Sequence, residues 1–372
     1  MLTKTYSKIV LCIIFNAYVC TEMSMVKSKN LRNIWYVACH GSVLAKGKTM
    51  EKEIDGEKIC LGRDQDGKPF ALRNQCPHRG IPLTYGNFDG CEIECCYHGW
   101  RFKPDGVCSK IPALPPQSTL DVSKIRAPYY PVRELHGIVF IYMPRDMRKP
   151  EDIDESLFPQ FPLNEDQSFD LVTAKKMDCG LDHSVIGLID PAHVPFVHQS
   201  WFFRKKTNLK LKEKNFAPSH LGFTMVRHAP SKNSAAYKIL KKEQTTEISF
   251  QIPGIRIEHL KVGENDIVIM TTLTPVNDQE TELTQFIYTD IGWFKPLRPI
   301  FYSFARSFIQ QDVDVFKKLK EGLNNNPPLM LMGDPDMQAK WYNAIRARYE
   351  KCQEEKIPFE NPIKEQTLYW QT

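Results

Sequence analysis

Hydrophobic and polar positions alternate with a period of two through most of this chain and shift to a helical period in only a few places. From Asn33 the segments IWYVAC, KTMEKEIDGEKICLGRD and KPFALRNQC read as strands, with Asp55-Gly56 and Asp66-Gly67 as turns between them. Trp100-Arg101-Phe102 with Lys103-Pro104-Asp105-Gly106 reads as a further hairpin, and HGIVFIYM (136–143) as a closing strand. The pattern predicts a small antiparallel β-sandwich over 29–144, followed by the polar, proline-bearing linker RDMRKPEDIDESLFPQFP.

The remainder, 145–372, predicts a second domain. KILKKEQTTEISFQIPGIRIEHLKV, DIVIMTTLTPV and ETELTQFIYTDI alternate as a curved antiparallel sheet. PIFYSFARSFIQQDVDVFKKLKEGL then takes up helical period, placing Phe301, Phe304, Phe308, Val315, Leu319 and Leu323 on one stripe. Asp312 lies on that stripe and Asp314 points to the other side. A last amphipathic helix carries Trp341, Ile345 and Tyr349 as packing residues. The fold class is therefore α+β in two domains.

Residues 1–28 read as a leader or disordered tail: Lys4 and Lys8 precede the apolar run IVLCIIFNAYVC, far short of the about 20 residues needed to span a bilayer. Membrane association through this run is the alternative to a cytoplasmic protein. A chain of 372 residues that is 42% hydrophobic and 25% charged has ample material for folded domains. The 11 cysteines have no framework spacing, which favours a reducing compartment over secretion. A net charge of +5 without any nucleic-acid module leaves no case for a nucleic-acid partner.

The chemistry lies in two stretches. Cys76-x-His78 and Cys95-x-x-His98 give one thiolate and one imidazole on each of two short loops. A Rieske [2Fe-2S] centre needs two cysteines on one iron and two histidines on the other; a structural zinc site is the alternative. Cys96 is the spare thiol, because Cys95 keeps the two-residue gap to His98. In the second domain Asp190-x-x-His193 is followed by His198. His198 would point away from His193 on a straight helix, since five residues turn about 500°. Pro195 breaks the ladder between them and lets both imidazoles meet. Two histidines with a carboxylate form the facial triad of Fe(II) oxygenases. Asp312, a carboxylate on an apolar helical face, must be paired or bound to metal, or reach solvent at the edge of the face.

Cys76-Pro77-His78-Arg79-Gly80 with Cys95-Cys96-Tyr97-His98-Gly99-Trp100 resembles the Rieske motif of non-haem iron oxygenases, and Asp190-Pro191-Ala192-His193-Val194-Pro195-Phe196-Val197-His198 is similar to their mononuclear iron motif, nearest the pheophorbide/chlorophyllide oxygenase branch. The resemblance implies a Rieske β-sandwich followed by a helix-grip (START/Bet v 1-like) catalytic domain. It implies a [2Fe-2S] cluster on Cys76, His78, Cys95 and His98, and Fe2+ on His193, His198 and Asp312, the acid matching a late-helix Gln311-Asp312 segment. Asp190 matches the acid that bridges electrons between subunits of a ring, usually a trimer; a helix N-cap is its simpler role. Where relatives often carry Asn or Glu three residues before that Asp, this chain has Gly187. The implied activity is a terminal oxygenase that takes O2 and electrons from a ferredoxin or flavin reductase to hydroxylate, dealkylate or desaturate a small, mostly apolar organic substrate. NAD(P)H enters only through that reductase, because no dinucleotide fingerprint is present. A Rieske electron carrier without oxygenase activity is the alternative.

Overall fold

The computed structural model describes residues 29–148, 150, 153–164, 166–198, 209–229, 243–325, 327–328 and 330–372; the N-terminal apolar run lies outside them. The first part holds strands β1 Ile34–His40, β2 Lys48–Ile54, β3 Glu57–Arg63, β4 Pro69–Arg73, β5 Asn87–Phe88, β6 Ile93–Glu94, β7 Arg101–Phe102, β8 Cys108–Lys110, β9 Tyr129–Tyr130, β10 Val132–Leu135 and β11 Ile138–Met143. They form three antiparallel sheets, ordered β2-β3-β4-β9, β5-β6-β7-β8 and β1-β11-β10. Both turns read from the sequence are present, with Gly56 and Gly67 at positive φ where a Cβ would be strained.

The second part adds β12 Leu171–Met177, β13 Leu211–Ser219, β14 Gly222–His228, β15 Gln244–Gln251, β16 Ile255–Val262, β17 Asn265–Asn277, β18 Glu280–Thr289 and β19 Gln366–Gln371. Its helices are α1 Leu181–Ile189, the single turn α2 Val194–Val197, α3 Arg298–Leu323 and α4 Met337–Glu355. The strands make one eight-stranded sheet, β12-β18-β17-β16-β15-β14-β13-β19. Alternation gives this sheet two apolar faces. Ile255, Ile257, Val268, Met270, Phe286 and Tyr288 pack against Trp35 and Phe140 of the first part. On the opposite face Leu171 and Ile287 pack with Phe301 and Ala305 of α3, and Phe223, Phe250, Leu273 and Leu283 share a core with Ile309, Val313 and Phe316 of the same helix.

Two expectations change. The buried side of α3 is Ile309, Val313 and Phe316, whereas Phe304, Val315 and Leu319 are exposed. Both sides carry apolar residues at helical spacing, so periodicity alone could not choose between them. The linker, read as polar, is partly buried: Phe158 packs edge-on to Trp35 and Phe140, and Gln251 exchanges two hydrogen bonds with the backbone of Gln160, at 3.0 and 2.7 Å.

A buried ionic knot ties the first part to α4. Arg32 donates to Glu57 at 2.6 Å and to Asp55 at 2.5 Å, Tyr130 donates to Glu57, and Tyr349 of α4 donates to the Asn33 carbonyl at 2.6 Å. Among the described residues, no helix is long and apolar enough to cross a membrane.

Candidate metal centres

The two ligand loops are built alike. Cys76 N–H donates to the Ile81 carbonyl at 2.8 Å and Gly80 N–H to the Cys76 carbonyl at 2.8 Å; the second loop repeats this with Cys95 to Trp100 at 2.8 Å and Gly99 to Cys95 at 3.0 Å. Each loop turns at a glycine of positive φ, Gly80 at +77° and Gly99 at +67°. The tight turns bring the side chains together: Cys76 and Cys95 are buried, their thiols in hydrogen-bond contact, and the His78 and His98 ring centroids lie 4.5 Å apart. Trp100 stacks on His78 at 4.5 Å and 5°. Burial, with the Cys95 thiol alongside, raises the Cys76 thiol to about 11. Burial, with the neighbouring His98 and Arg79, lowers the pKa of His78. Nδ1 of His98 is buried without a hydrogen-bond partner. Two adjoining buried thiols, with a buried imidazole nitrogen left without a partner in the adjoining loop, suit a bound thiophilic metal group better than they suit each other. Cys96, by contrast, is exposed, which supports the register that leaves it spare.

At the second stretch α1 ends one residue before Asp190, which turns extended (φ −68°, ψ 119°) ahead of Pro191, and Asp190 Oδ1 accepts the Ala192 N–H at 2.7 Å. His193 caps the turn α2 and His198 closes it, with Pro195 inside its first positions. The break that redirects the chain is therefore at Asp190-Pro191, not at Pro195, and Asp190 follows one helix rather than capping the next. Proline is at home in a first helical turn, where its missing N–H costs nothing.

These turns face α3. Asp312 Oδ1 lies 3.3 Å from His198 Nε2 and 3.9 Å from His193 Nε2, and one ligand atom from each of the three residues falls within 4.8 Å of the others. The opposite ring nitrogens are directed elsewhere: His198 Nδ1 meets Gln311 Oε1 at 3.0 Å, and His193 Nδ1 lies 3.7 Å from Asp190 Oδ2. Phe308 stacks on His198 at 3.7 Å, and His198 is almost fully buried. Burial opposes protonation of His193, but the Asp190 and Asp312 carboxylates outweigh it and raise its pKa. Two imidazole Nε2 atoms and a carboxylate converging on one point, with Gln311 fixing the tautomer of His198, fit a non-haem iron site and its outer shell. Sequence reasoning paired Gln311 with Asp312 but gave the amide no role; its position one residue before the acid was the available signal.

Gly187 also finds its reason here. A Cβ at this position would stand 2.4 Å from Cζ of Phe316, so the packing of α1 on α3 excludes any larger side chain.

Comparison with known proteins defines the class. Residues 34–130 match the Rieske [2Fe-2S] domain, and residues 178–349 match the vanillate O-demethylase oxygenase C-terminal domain. The chain thus carries, in order, the two domains of a Rieske non-haem iron oxygenase, with the cluster and iron sites that those domains imply. Among curated relatives, chlorophyllide a oxygenase of Chlamydomonas reinhardtii is 33% identical over 185 residues, covering 49% of this chain and 27% of that protein. The phenoxybenzoate dioxygenase subunit alpha of Ectopseudomonas oleovorans is 34% identical over 181 residues, covering 46% and 44%. The chain spans less than half the length of these relatives. Among solved structures, dicamba monooxygenase bound to dicamba superimposes with a TM-score of 0.68 at 19% identity, over 87% of this chain and 98% of that one, which shows a shared fold.

Proposed function

We propose that this protein is the terminal oxygenase component of a multi-protein system, reducing O2 to hydroxylate, dealkylate or desaturate a small organic molecule. Within it, 29–144 form the cluster domain and 145–372 the catalytic domain. The observation that carries this reading is the convergence of His193, His198 and Asp312, with Gln311 holding the far side of one imidazole. A bare electron carrier has no use for such a constellation. The names of relatives point to arene substrates, among them phenoxybenzoate and 3-chlorobenzoate, alongside chlorophyllide a.

Cys76, Cys95, His78 and His98 would hold the cluster, and His193, His198 and Asp312 the iron. When bound, the cluster supplies single electrons and the iron supplies open coordination positions for O2 reduction. The protein residues position and tune. Gln311 keeps a proton on Nδ1 of His198, so that Nε2 presents its lone pair toward Asp312. Phe308 excludes water from the same ring. Asp190, one-third exposed, stands between solvent and His193 and would link that ring to the cluster histidine of a neighbouring copy in a trimer. A ferredoxin or flavin reductase supplies the electrons, and the setting is cytoplasmic.

Purified protein given a generic reductase and NADH is expected to show O2 uptake that depends on an added organic substrate. Asp190→Ala is expected to keep both metals yet lose coupled turnover. Normal turnover in that variant removes Asp190 from the electron path.

A further inference from the structure

The first turns of α3 bury much less than the rest of the helix does. A short 3-10 turn, Gly292–Leu297, leads into α3, and Pro299 occupies its first positions, where a missing N–H costs nothing. Phe301 and Ala305 pack with Leu171, Ile287 and Ile291, and Phe294 stacks on Phe301 at 4.5 Å. Apart from Phe294, Phe301 and Ala305, every residue from Gly292 to Ser307 is exposed. Among them, Trp293, Leu297, Ile300, Tyr302 and Phe304 are each between 40% and 53% exposed. Leu297, Ile300 and Phe304, spaced by three and four, share one side of the helix over about 10 Å. Single exposed apolar residues are ordinary, but five large ones at one end of a helix mark an interaction surface.

The charge on this surface has one sign. From Ile291 to Gln311 the sequence has Lys295, Arg298 and Arg306 and no acid. Arg298 is held by Asp170 at 2.5 Å, while Lys295 and Arg306 are exposed and make no ion pair among the described residues. Asp290, which precedes the stretch, accepts the Asp266 N–H at 3.0 Å. The core of a protein–protein interface is depleted of charge, whereas here cations alternate with apolar and aromatic side chains. That mixture suits the boundary of an anionic bilayer. Apolar side chains enter it to about 5–10 Å, and Lys or Arg stay among the phosphates. Trp and Tyr, with an apolar ring and a polar tip, are at home at the same depth.

We propose that the turn Gly292–Leu297 and the N-terminal end of α3 form a docking surface for a membrane that carries anionic lipid. Trp293, Leu297, Ile300 and Phe304 enter the bilayer boundary, and Lys295 and Arg306 meet the headgroups. Asp312 follows Ile300 by about 18 Å along the same helix, so docking sets which side of the catalytic domain faces the bilayer. Docking of this kind needs no active iron and stands apart from the oxygenase reading.

The test is cosedimentation of the full-length protein with phosphatidylcholine vesicles, with and without phosphatidylserine, at low and high salt. Binding is expected to be tighter with phosphatidylserine and to weaken with salt. Trp293→Ser combined with Ile300→Asn is expected to weaken binding to both vesicles by about ten-fold or more. Lys295→Gln and Arg306→Gln are each expected to cost about five-fold on the anionic vesicles and little on the neutral ones. Cluster absorbance reports folding, and gel filtration reports the oligomeric state. No binding to either vesicle, or unchanged binding in the variants, overturns the proposal. So does a change of oligomeric state in the apolar variant, which would make this surface a contact between copies of the chain. Should that variant fail to fold, the two charge variants and the salt dependence decide.

Discussion

Gln311→Ala removes one hydrogen bond and leaves every proposed iron ligand in place. His198 is buried, stacked on Phe308 at 3.7 Å, and joined to Gln311 Oε1 through Nδ1 at 3.0 Å. The stacking keeps the ring near its position, but Nδ1 loses the Gln311 amide oxygen. Leaving a buried donor unsatisfied costs about 1–3 kcal/mol, and outer-shell partners of ligating histidines typically contribute 10–100-fold in metal affinity. At about 1.4 kcal/mol per ten-fold the two figures agree. Titration of the mononuclear iron against a competing chelator is therefore expected to show about 10–100-fold weaker binding, with the visible absorbance of the cluster unchanged. Gln311→Glu, which keeps the acceptor, is expected to restore most of the affinity. Equal affinity in Gln311→Ala, or parallel loss of the cluster, refutes the reasoning.

Other consequences are structural. Gly187→Ala puts a Cβ against the buried Phe316 ring and is expected to destabilise the fold by about 1–3 kcal/mol in chemical denaturation. Arg32→Met removes the guanidinium that pairs with the buried Asp55 and Glu57 carboxylates and is expected to cost about 3–5 kcal/mol by the same measurement. Burial lowers the pKa of His40, His220 and His228 in the fold, so their contribution is complete above the unfolded value near 6.5 and is lost as pH falls through the lower folded values. The melting temperature is expected to decline on acidification below about 6.5, and less steeply in His220→Gln, which gives up the 3.0 Å contact to the Phe158 carbonyl.

The proposed cluster site could be read locally because its four candidate ligands sit in two short loops: Cys76 to Ile81 and Cys95 to Trp100 each close through their own backbone. The candidate iron ligands could be read as residue types, since Asp-x-x-His-x4-His and a carboxylate on an apolar helix leave few other uses, and the fold brings them together. Less visible was where the chain bends. The turn at Asp190 depends on the Ala192 N–H finding that carboxylate, whereas a proline at 195 looks like a breaker until it falls in a first helical turn. Which side of α3 faces the sheet was hidden because both sides are apolar; the choice is made by Phe223, Phe250 and Leu273, remote in sequence. Gly187 read as a departure, and only the approach of Phe316 shows it to be a packing requirement.

Iron counted per chain, in anaerobically reconstituted protein and in Asp312→Ala, tests the account most directly. Two irons in the cluster and one at His193, His198 and Asp312 predict about three for the unmodified chain and about two for the variant, with identical cluster spectra. About two irons in both proteins would contradict it.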